Sequence, residues 1–116
     1  DQKSVVNWGS GIPTREFIYV DDAANGIVSA MENYDKKEPV NIGSSEEISI
    51  KSLSDKIQNL VGFDGEVIWD TNMPDGQKRR ILDTNLAFDK FAFKASTSLD
   101  QGLKETINWY LSEKIK

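Results

Sequence analysis

The 116-residue sequence contains no cysteine and no histidine. Without cysteine there is no disulfide framework, no thiolate nucleophile and no metal site built on cysteine ligands. Without histidine, a histidine-dependent catalytic triad and the commonest zinc ligand are excluded. Acid–base or nucleophilic chemistry within this sequence would therefore depend on carboxylates, lysine, tyrosine or serine.

Long apolar runs and an excess of positive charge are also missing. No run approaches the roughly 20 residues that span a bilayer, and no apolar stretch is typical of a signal peptide. We therefore expect a cytoplasmic protein without a membrane partner. The 14 Lys and Arg residues against 19 Asp and Glu residues give a net charge of −5. This charge argues against a nucleic-acid partner, because phosphate neutralisation supplies most of that affinity.

Turn residues divide the sequence into alternating strands and helices. Strands are predicted at 3–8, 39–42 and 66–69, with extended backbone from 17, and 71–80 is predicted to be a loop. Helices are predicted after Asp21, after the cap residue Ser49, over 84–90 and after Ser98. This alternation favours an α/β or α+β arrangement. The few short strands leave sheet edges that need a partner, so the sequence predicts an incomplete domain.

The helix after Asp21 has a strongly amphipathic pattern. Its apolar residues recur at helical spacing and predict one buried stripe. They are Val20, Ala23, Ala24, Ile27, Val28 and Met31.

Two short patterns resemble dehydrogenase motifs, but a structural interpretation is favoured for both. Gly9-Ser10-Gly11 begins like a dinucleotide-binding loop, yet Thr14 stands at the third glycine position and Pro13 interrupts the start of the required helix. A simple turn is therefore preferred. Tyr110 and Lys114 have the spacing of a catalytic Tyr-x-x-x-Lys pair. They lie in the last turns of a terminal helix, so Tyr110 is predicted to be a packing residue.

Three residues beside glycine- or proline-rich turns have the chemistry of a nucleotide-sugar site. Trp8 could stack on a base or sugar, Arg15 could bind a diphosphate, and Asp75 could accept hydrogen bonds from sugar hydroxyls. Taken one by one, the three residues are interpreted as a core tryptophan, a salt-bridged arginine and a turn aspartate, and spacing alone does not argue against these interpretations. The basic run 78–80 could likewise bind phosphate or form a solvated surface.

The order of residues along the chain resembles one enzyme family. Residues 8–22 read W-G-S-G-I-P-T-R-E-F-I-Y-V-D-D. They resemble the corresponding segment of GDP-L-fucose synthases, which are extended short-chain dehydrogenase/reductases of the NAD-dependent epimerase/dehydratase family. The similarity continues in register at 41–44, 47–53, 61–70, 73–83 and 98–110, so it covers nearly the whole chain. Two positions depart from the family pattern: Lys78 stands in place of a proline, and Ala92 in place of a glycine.

The resemblance implies an α/β fold: the carboxyl-terminal, substrate-binding portion of an extended Rossmann-type enzyme. It implies that residues 1–116 form a nucleotide-sugar-binding domain and that the amino-terminal, NADP-binding half is absent. The whole enzyme would epimerise GDP-4-keto-6-deoxy-mannose at C3 and C5 and reduce C4 with NADPH. Trp8, Arg15 and Asp75 would contact the GDP-sugar. No catalytic, cofactor-binding or metal-binding residue would lie in this portion.

Two alternatives remain open. The chain could be part of another nucleotide-sugar epimerase or dehydratase of the same superfamily, or it could be a stand-alone, non-catalytic binding module. An upstream continuation of the reading frame into a glycine-rich dinucleotide fingerprint would distinguish an enzyme portion from a module. The exposed sheet edges of an isolated portion also predict low stability and self-association.

The 116-residue chain alone is expected to be catalytically inactive, because the groups that usually perform acid–base chemistry are absent. The measurement is NADPH oxidation in the presence of the 4-keto sugar nucleotide, which should equal the rate without protein. Activity that disappears in the Tyr110→Phe variant would contradict this expectation.

Overall fold

The computed structural model describes residues 3–114, which form five strands and four helices. The strands are β1 Ser4–Trp8, β2 Thr14–Glu16, β3 Glu47–Ser49, β4 Glu66–Asp70 and β5 Arg79–Arg80. The helices are α1 Val20–Asn33, α2 Ile50–Val61, α3 Asn85–Phe91 and α4 Leu99–Lys114. The mixture of helices with parallel strands confirms the predicted α/β class. Among the described residues, no helix combines the length and apolar character needed to cross a membrane.

The strands form two small sheets, each with one parallel pairing between distant segments. β1 pairs in parallel with β4, so that Ser4 lies opposite Glu66 and Trp8 opposite Asp70. In the second sheet β2 is central, antiparallel to β3 and parallel to β5. The connection 9–13 joins β1 to β2, and 71–78 joins β4 to β5. Because both pairings are parallel, these two connections start side by side and end side by side.

The predicted helix signals are largely confirmed. The Ser49 hydroxyl caps α2 by accepting the amide hydrogen three residues further on, at 3.0 Å. Gly62 ends α2 in the left-handed conformation with φ 67°. The Ser98 hydroxyl accepts from the Gln101 amide at 3.3 Å. The reciprocal half of that capping box is absent, because the Gln101 side chain donates to Glu105.

Three predictions about the positions of strands are wrong. Strand β2 lies at Thr14–Glu16, before the aromatic segment at 17–20, because β3 and β5 pair with it there. Residues 39–42 form no strand. Pro39 has no N–H to donate to a neighbouring strand, and the Asn41 side chain donates to the Asp83 backbone carbonyl. The loop predicted at 71–80 ends in β5, because the Thr14 amide donates to the Lys78 carbonyl and starts the pairing.

The apolar stripe of α1 is exposed, which corrects the predicted burial. Val20, Ile27 and Met31 are 68%, 63% and 77% exposed. The side of α1 that packs inward instead carries Asp22 and Gly26. This reversal arises because the residues available to cover α1, in the segments at 42 and 93, contact its glycine side.

The described chain is unusually flat. Its extents are 52 × 38 × 18 Å and its radius of gyration is 17.1 Å, whereas a compact domain of this length has about 13 Å. Its accessible surface is 8650 Å², about 2300 Å² more than expected of a folded monomer of this size. The buried apolar core of the described residues is correspondingly small and consists of Ala87 and Phe93.

Substitution of Gly26 by alanine is expected to destabilise the fold. A Cβ at this position would lie 2.7 Å from Ile42 and 2.9 Å from the Phe93 ring, and Phe93 is too well buried to move away. Overpacking of this kind costs about 1–3 kcal/mol, which exceeds the gain of about 1 kcal/mol from alanine's higher helix propensity. Urea unfolding measures the difference in unfolding free energy.

The matched control is Asn25→Ala, because Asn25 is the exposed neighbour of Gly26 on the same helix. This variant should be neutral or slightly more stable than the wild type. Equal stability of the Gly26→Ala variant and the control would show that the close approach does not constrain α1.

Candidate functional site

A carboxylate joins the turn after β1 to the loop after β4. The Ser10 amide donates to Oδ1 of Asp75 at 2.7 Å, and the Ser10 hydroxyl donates to Oδ2 at 2.7 Å. These bonds, the hydroxyl bond first, hold the pKa of Asp75 below its ordinary value. Gly9 has φ 84°, and a Cβ there would overlap the Asp75 carboxylate, so this approach requires a glycine.

The Arg15 side chain lies along the same loop. Its Nη1 donates to the Thr14 carbonyl at 2.6 Å and to the Gln77 carbonyl at 2.8 Å. A Cβ on Gly76 would be only 3.2 Å from Nη2. Arg15 therefore contacts positions 76 and 77, directly next to Asp75. The structure brings these two residues together, although they are distant in sequence.

The positive charge of Arg15 has no carboxylate partner within residues 3–114. The ion pairs found in that range are Lys56–Asp100 and Arg79–Glu47. The salt-bridge interpretation of Arg15 is therefore wrong, and its guanidinium is held by neutral carbonyls alone. A half-buried cation positioned in this way retains most of its capacity to attract an anion.

Trp8 ends β1 immediately before this turn. It is 72% exposed, so the core interpretation of this tryptophan is wrong. Trp8 lies at the rim of a depression of about 1120 Å³ between the β1–β4 sheet and α2, which Arg15 and Asp75 do not line. Trp8 is thus connected to the other two residues through the turn at Gly9 and Ser10 rather than through a shared enclosed pocket.

The two arginines of β5 differ in their contacts. Arg79 donates from Nε and Nη2 to the two oxygens of Glu47, at 2.8 and 2.9 Å. Hydrogen bonds from Arg79 and then from the Thr14 hydroxyl lower the pKa of Glu47 to about 2. Arg80 lies directly opposite Arg15 in the parallel β2–β5 pairing, and Arg80 is exposed. Two guanidinium groups on adjacent strands therefore carry positive charge to one part of the sheet.

The turn at 9–11 does not fit a dinucleotide cofactor. The Gly9 amide donates to the Asp70 carbonyl, the Ser10 amide to Asp75, and the Ile12 amide to the Ser10 hydroxyl. A phosphate-binding loop needs such amides to be available for the ligand. The chain then continues into β2 rather than into a helix. Between residues 3 and 114 there is also no cluster of three acidic side chains that could hold a metal ion.

The Tyr110 and Lys114 pair forms no catalytic arrangement. Lys114 Nζ lies 5.8 Å from the centre of the Tyr110 ring, which is a cation–π contact with the ring face. Tyr110 is 53% exposed, so its predicted packing role within this chain is also wrong.

Sequence reasoning missed Ser10 and Glu47, the side chains that hold the site together. Ser10 lies between two turn glycines and Glu47 lies just before a helix, which are positions where polar residues are unremarkable. The only available signal was that the sequence contains a residue able to hydrogen-bond to each of them. This residue is Asp75 for Ser10 and Arg79 for Glu47. The parallel register that makes them partners is not visible in the sequence.

Comparison with known proteins shows which enzyme family the chain resembles. The profile described as "NAD dependent epimerase/dehydratase family" matches residues 1–43. A putative GDP-L-fucose synthase 2 of Arabidopsis thaliana is 41% identical over 112 residues, which are 97% of this chain and 34% of that protein. A GDP-L-fucose synthetase from Naegleria fowleri, solved bound to NADP, has a TM-score of 0.88 and 31% identity, covering 97% of this chain and 36% of that one. Residues 1–43 thus match the NAD dependent epimerase/dehydratase family, and nearly the whole chain is similar to about a third of these two relatives.

Similarity within this epimerase/dehydratase family extends beyond fucose synthases. A putative UDP-glucose 4-epimerase of Methanocaldococcus jannaschii is 36% identical over 107 residues, 92% of this chain and 34% of that protein. In each of these comparisons the chain spans about a third of the relative's length. The predicted resemblance to this family is therefore confirmed, together with the expectation that the chain corresponds to part of such an enzyme.

The contact between Glu47 and Arg79 predicts a loss of stability in acid. Glu47 has a folded-state pKa of about 2 against an ordinary value of 4.5. Its contacts therefore stabilise the fold fully above the ordinary pKa, and this contribution is lost as the pH falls from there toward the folded value. Urea unfolding at about pH 6 and about pH 3 should show a smaller pH-dependent loss in Glu47→Gln than in the wild type.

Glu38→Gln serves as the control, because Glu38 is exposed in the loop after α1. It should show the same pH-dependent loss as the wild type. A Glu47→Gln variant that also matches the wild type would show that the pairing with Arg79 does not contribute to stability.

Proposed function

We propose that residues 1–116 form the carboxyl-terminal, nucleotide-sugar-binding domain of a GDP-L-fucose synthase. The whole enzyme would epimerise GDP-4-keto-6-deoxy-mannose at C3 and C5 and reduce C4 with NADPH. This chain would supply binding groups, and the acid–base and cofactor-binding groups would lie in the amino-terminal part. The cytoplasmic location expected from the sequence stays a prediction.

The observation that carries this proposal is the uncompensated guanidinium of Arg15. Two backbone carbonyls fix its position, no carboxylate in the described range pairs with it, and Arg80 stands opposite it on β5. Arginine suits a diphosphate because its planar fork donates two parallel hydrogen bonds. Arg79 is already paired with Glu47, so Arg80 is the arginine of the basic run that remains to assist Arg15.

The neighbouring side chains are suited to contact the base and the sugar of such a ligand. The exposed indole of Trp8 offers a flat apolar face to a base or sugar ring. The Asp75 carboxylate keeps acceptor capacity, because each of its oxygens can accept more than the one hydrogen bond that Ser10 donates. An indole, a guanidinium and a carboxylate at or beside two adjacent connections are a combination that suits a nucleoside diphosphate sugar.

The shape of the molecule supports a large missing neighbour. About 2300 Å² of accessible surface exceeds what a folded monomer of this size exposes, and the apolar stripe of α1 lies within the exposed surface. An excess of this size is typical of a permanent interface. We assign it to the remaining part of the enzyme, including the NADP-binding half, since the relatives are about three times longer. The predicted self-association of the isolated chain stays a prediction.

A second candidate is a UDP-sugar epimerase, favoured by the similarity to the Methanocaldococcus protein. Arg15 and Arg80 would serve any nucleoside diphosphate equally well, so the base decides between the two enzymes. Calorimetric titration of the full-length protein with GDP and with UDP tests this directly. Tighter binding of UDP would reject the GDP-sugar assignment and favour the epimerase.

Replacement of Arg15 by alanine in the full-length enzyme is expected to raise KM for the GDP-sugar by about 30- to 150-fold, the equivalent of about 2–3 kcal/mol. We expect kcat to change much less, since a diphosphate contact remote from the reacting carbons contributes mostly uniform binding. Steady-state kinetics with the 4-keto substrate measure both constants.

Guanosine provides the control for a purely structural effect of this substitution. If Arg15 binds the diphosphate, the variant loses affinity for GDP but not for guanosine, which has no phosphate. Equal losses for both ligands would mean that removing Arg15 only disorders the loop at 75–77. The exposed Lys94→Ala variant should leave all of these values unchanged.

A further inference from the structure

The carboxylate of Asp75 is directed at the protein itself. Both of its oxygens accept hydrogen bonds from Ser10, one from the backbone amide and one from the hydroxyl, each at 2.7 Å. The same hydroxyl also accepts from the Ile12 amide at 3.1 Å. Ser10 is thus the point at which the loop at 71–78 is fastened to the turn at 9–13.

Each side of this contact carries a proposed binding residue. Trp8 ends β1 two residues before Ser10, and the Arg15 guanidinium lies against Gly76 and Gln77, directly after Asp75. The contact therefore holds the segment next to the indole against the loop next to the guanidinium. Gly9, where any Cβ would overlap the Asp75 carboxylate, shows that the turn is shaped around this approach.

We propose that Ser10 is a positioning residue for nucleotide binding, which acts by holding Asp75 and its loop against the turn at 9–13. Ser10 touches no ligand in this assignment. It orients the end of β1, which carries Trp8, relative to the loop that holds Arg15, so that one nucleotide reaches both. The depressed pKa of Asp75 agrees with a carboxylate that stays ionised and hydrogen-bonded to Ser10.

This inference rests on the proposed function, and a double-mutant cycle tests it. The variants are Ser10→Ala, Asp75→Ala and the double substitution in the full-length enzyme, and the probes are GDP and GDP-mannose in calorimetric titrations. We expect each single variant to lose about tenfold in affinity for GDP. The double variant should also lose about tenfold, rather than the hundredfold expected of independent contacts. The loss in Ser10→Ala should be the same for GDP-mannose as for GDP.

A structural readout accompanies the titrations. The Ser10 amide should be protected from hydrogen exchange in the wild type and should lose that protection in Asp75→Ala. Ser10→Thr keeps both donors and should restore affinity, which separates loss of the contact from general misfolding. The matched control is Ser112→Ala, because the Ser112 hydroxyl donates to the Trp109 carbonyl of its own helix. This control should bind like the wild type.

The possible outcomes separate this inference from the proposed function. A wild-type enzyme that binds no GDP overturns both. A wild type that binds GDP while Ser10→Ala binds equally well overturns the positioning role alone. An Asp75→Ala variant that loses affinity for GDP-mannose but not for GDP shows that Asp75 acts at the sugar alone, and multiplicative losses of GDP affinity show independent action. Either result also overturns it.

Discussion

The parallel pairing of β1 with β4 and of β2 with β5 is the constraint on which the site depends. Each pairing joins segments that are far apart in sequence, and together they place the connections 9–13 and 71–78 alongside each other. Neither connection has regular structure of its own. Their contact therefore depends on the register of the strands at both ends, and a shift of one residue would move Ser10 away from Asp75.

Carboxylates that hold neighbouring segments are the second recurring feature. Glu16 accepts from the Ser44 amide at 2.6 Å and from the Leu82 amide at 2.9 Å, so it connects two loops to β2. Asp22 is buried and accepts from the Thr97 amide and the Ser96 hydroxyl. Burial alone would raise the pKa of Asp22, but these hydrogen bonds outweigh it and hold the pKa below the ordinary value. With so small an apolar core, such contacts define the positions of loops.

Local signals in the sequence correctly predicted features that depend only on neighbouring residues, such as the ends of a helix. Ser49 and Gly62 mark the ends of α2 because capping chemistry involves only a few adjacent positions. Burial was mispredicted where it depends on distant parts of the chain, as on α1, whose apolar stripe would need a covering element that residues 3–114 do not provide. The resemblance supplied Trp8, Arg15 and Asp75, but not Ser10, since a hydrogen bond across 65 positions leaves no local pattern.

The long separation between paired strands also has a consequence for biosynthesis. Strand β1 is complete once Trp8 has been added, but its partner β4 ends only at Asp70. At about 5–20 residues per second, the ribosome needs about 3–12 s to make the intervening chain. During that interval the edge of β1 that receives β4 has not yet met its partner. That edge must therefore stay free of other strands for several seconds during synthesis if the β1–β4 register is to form.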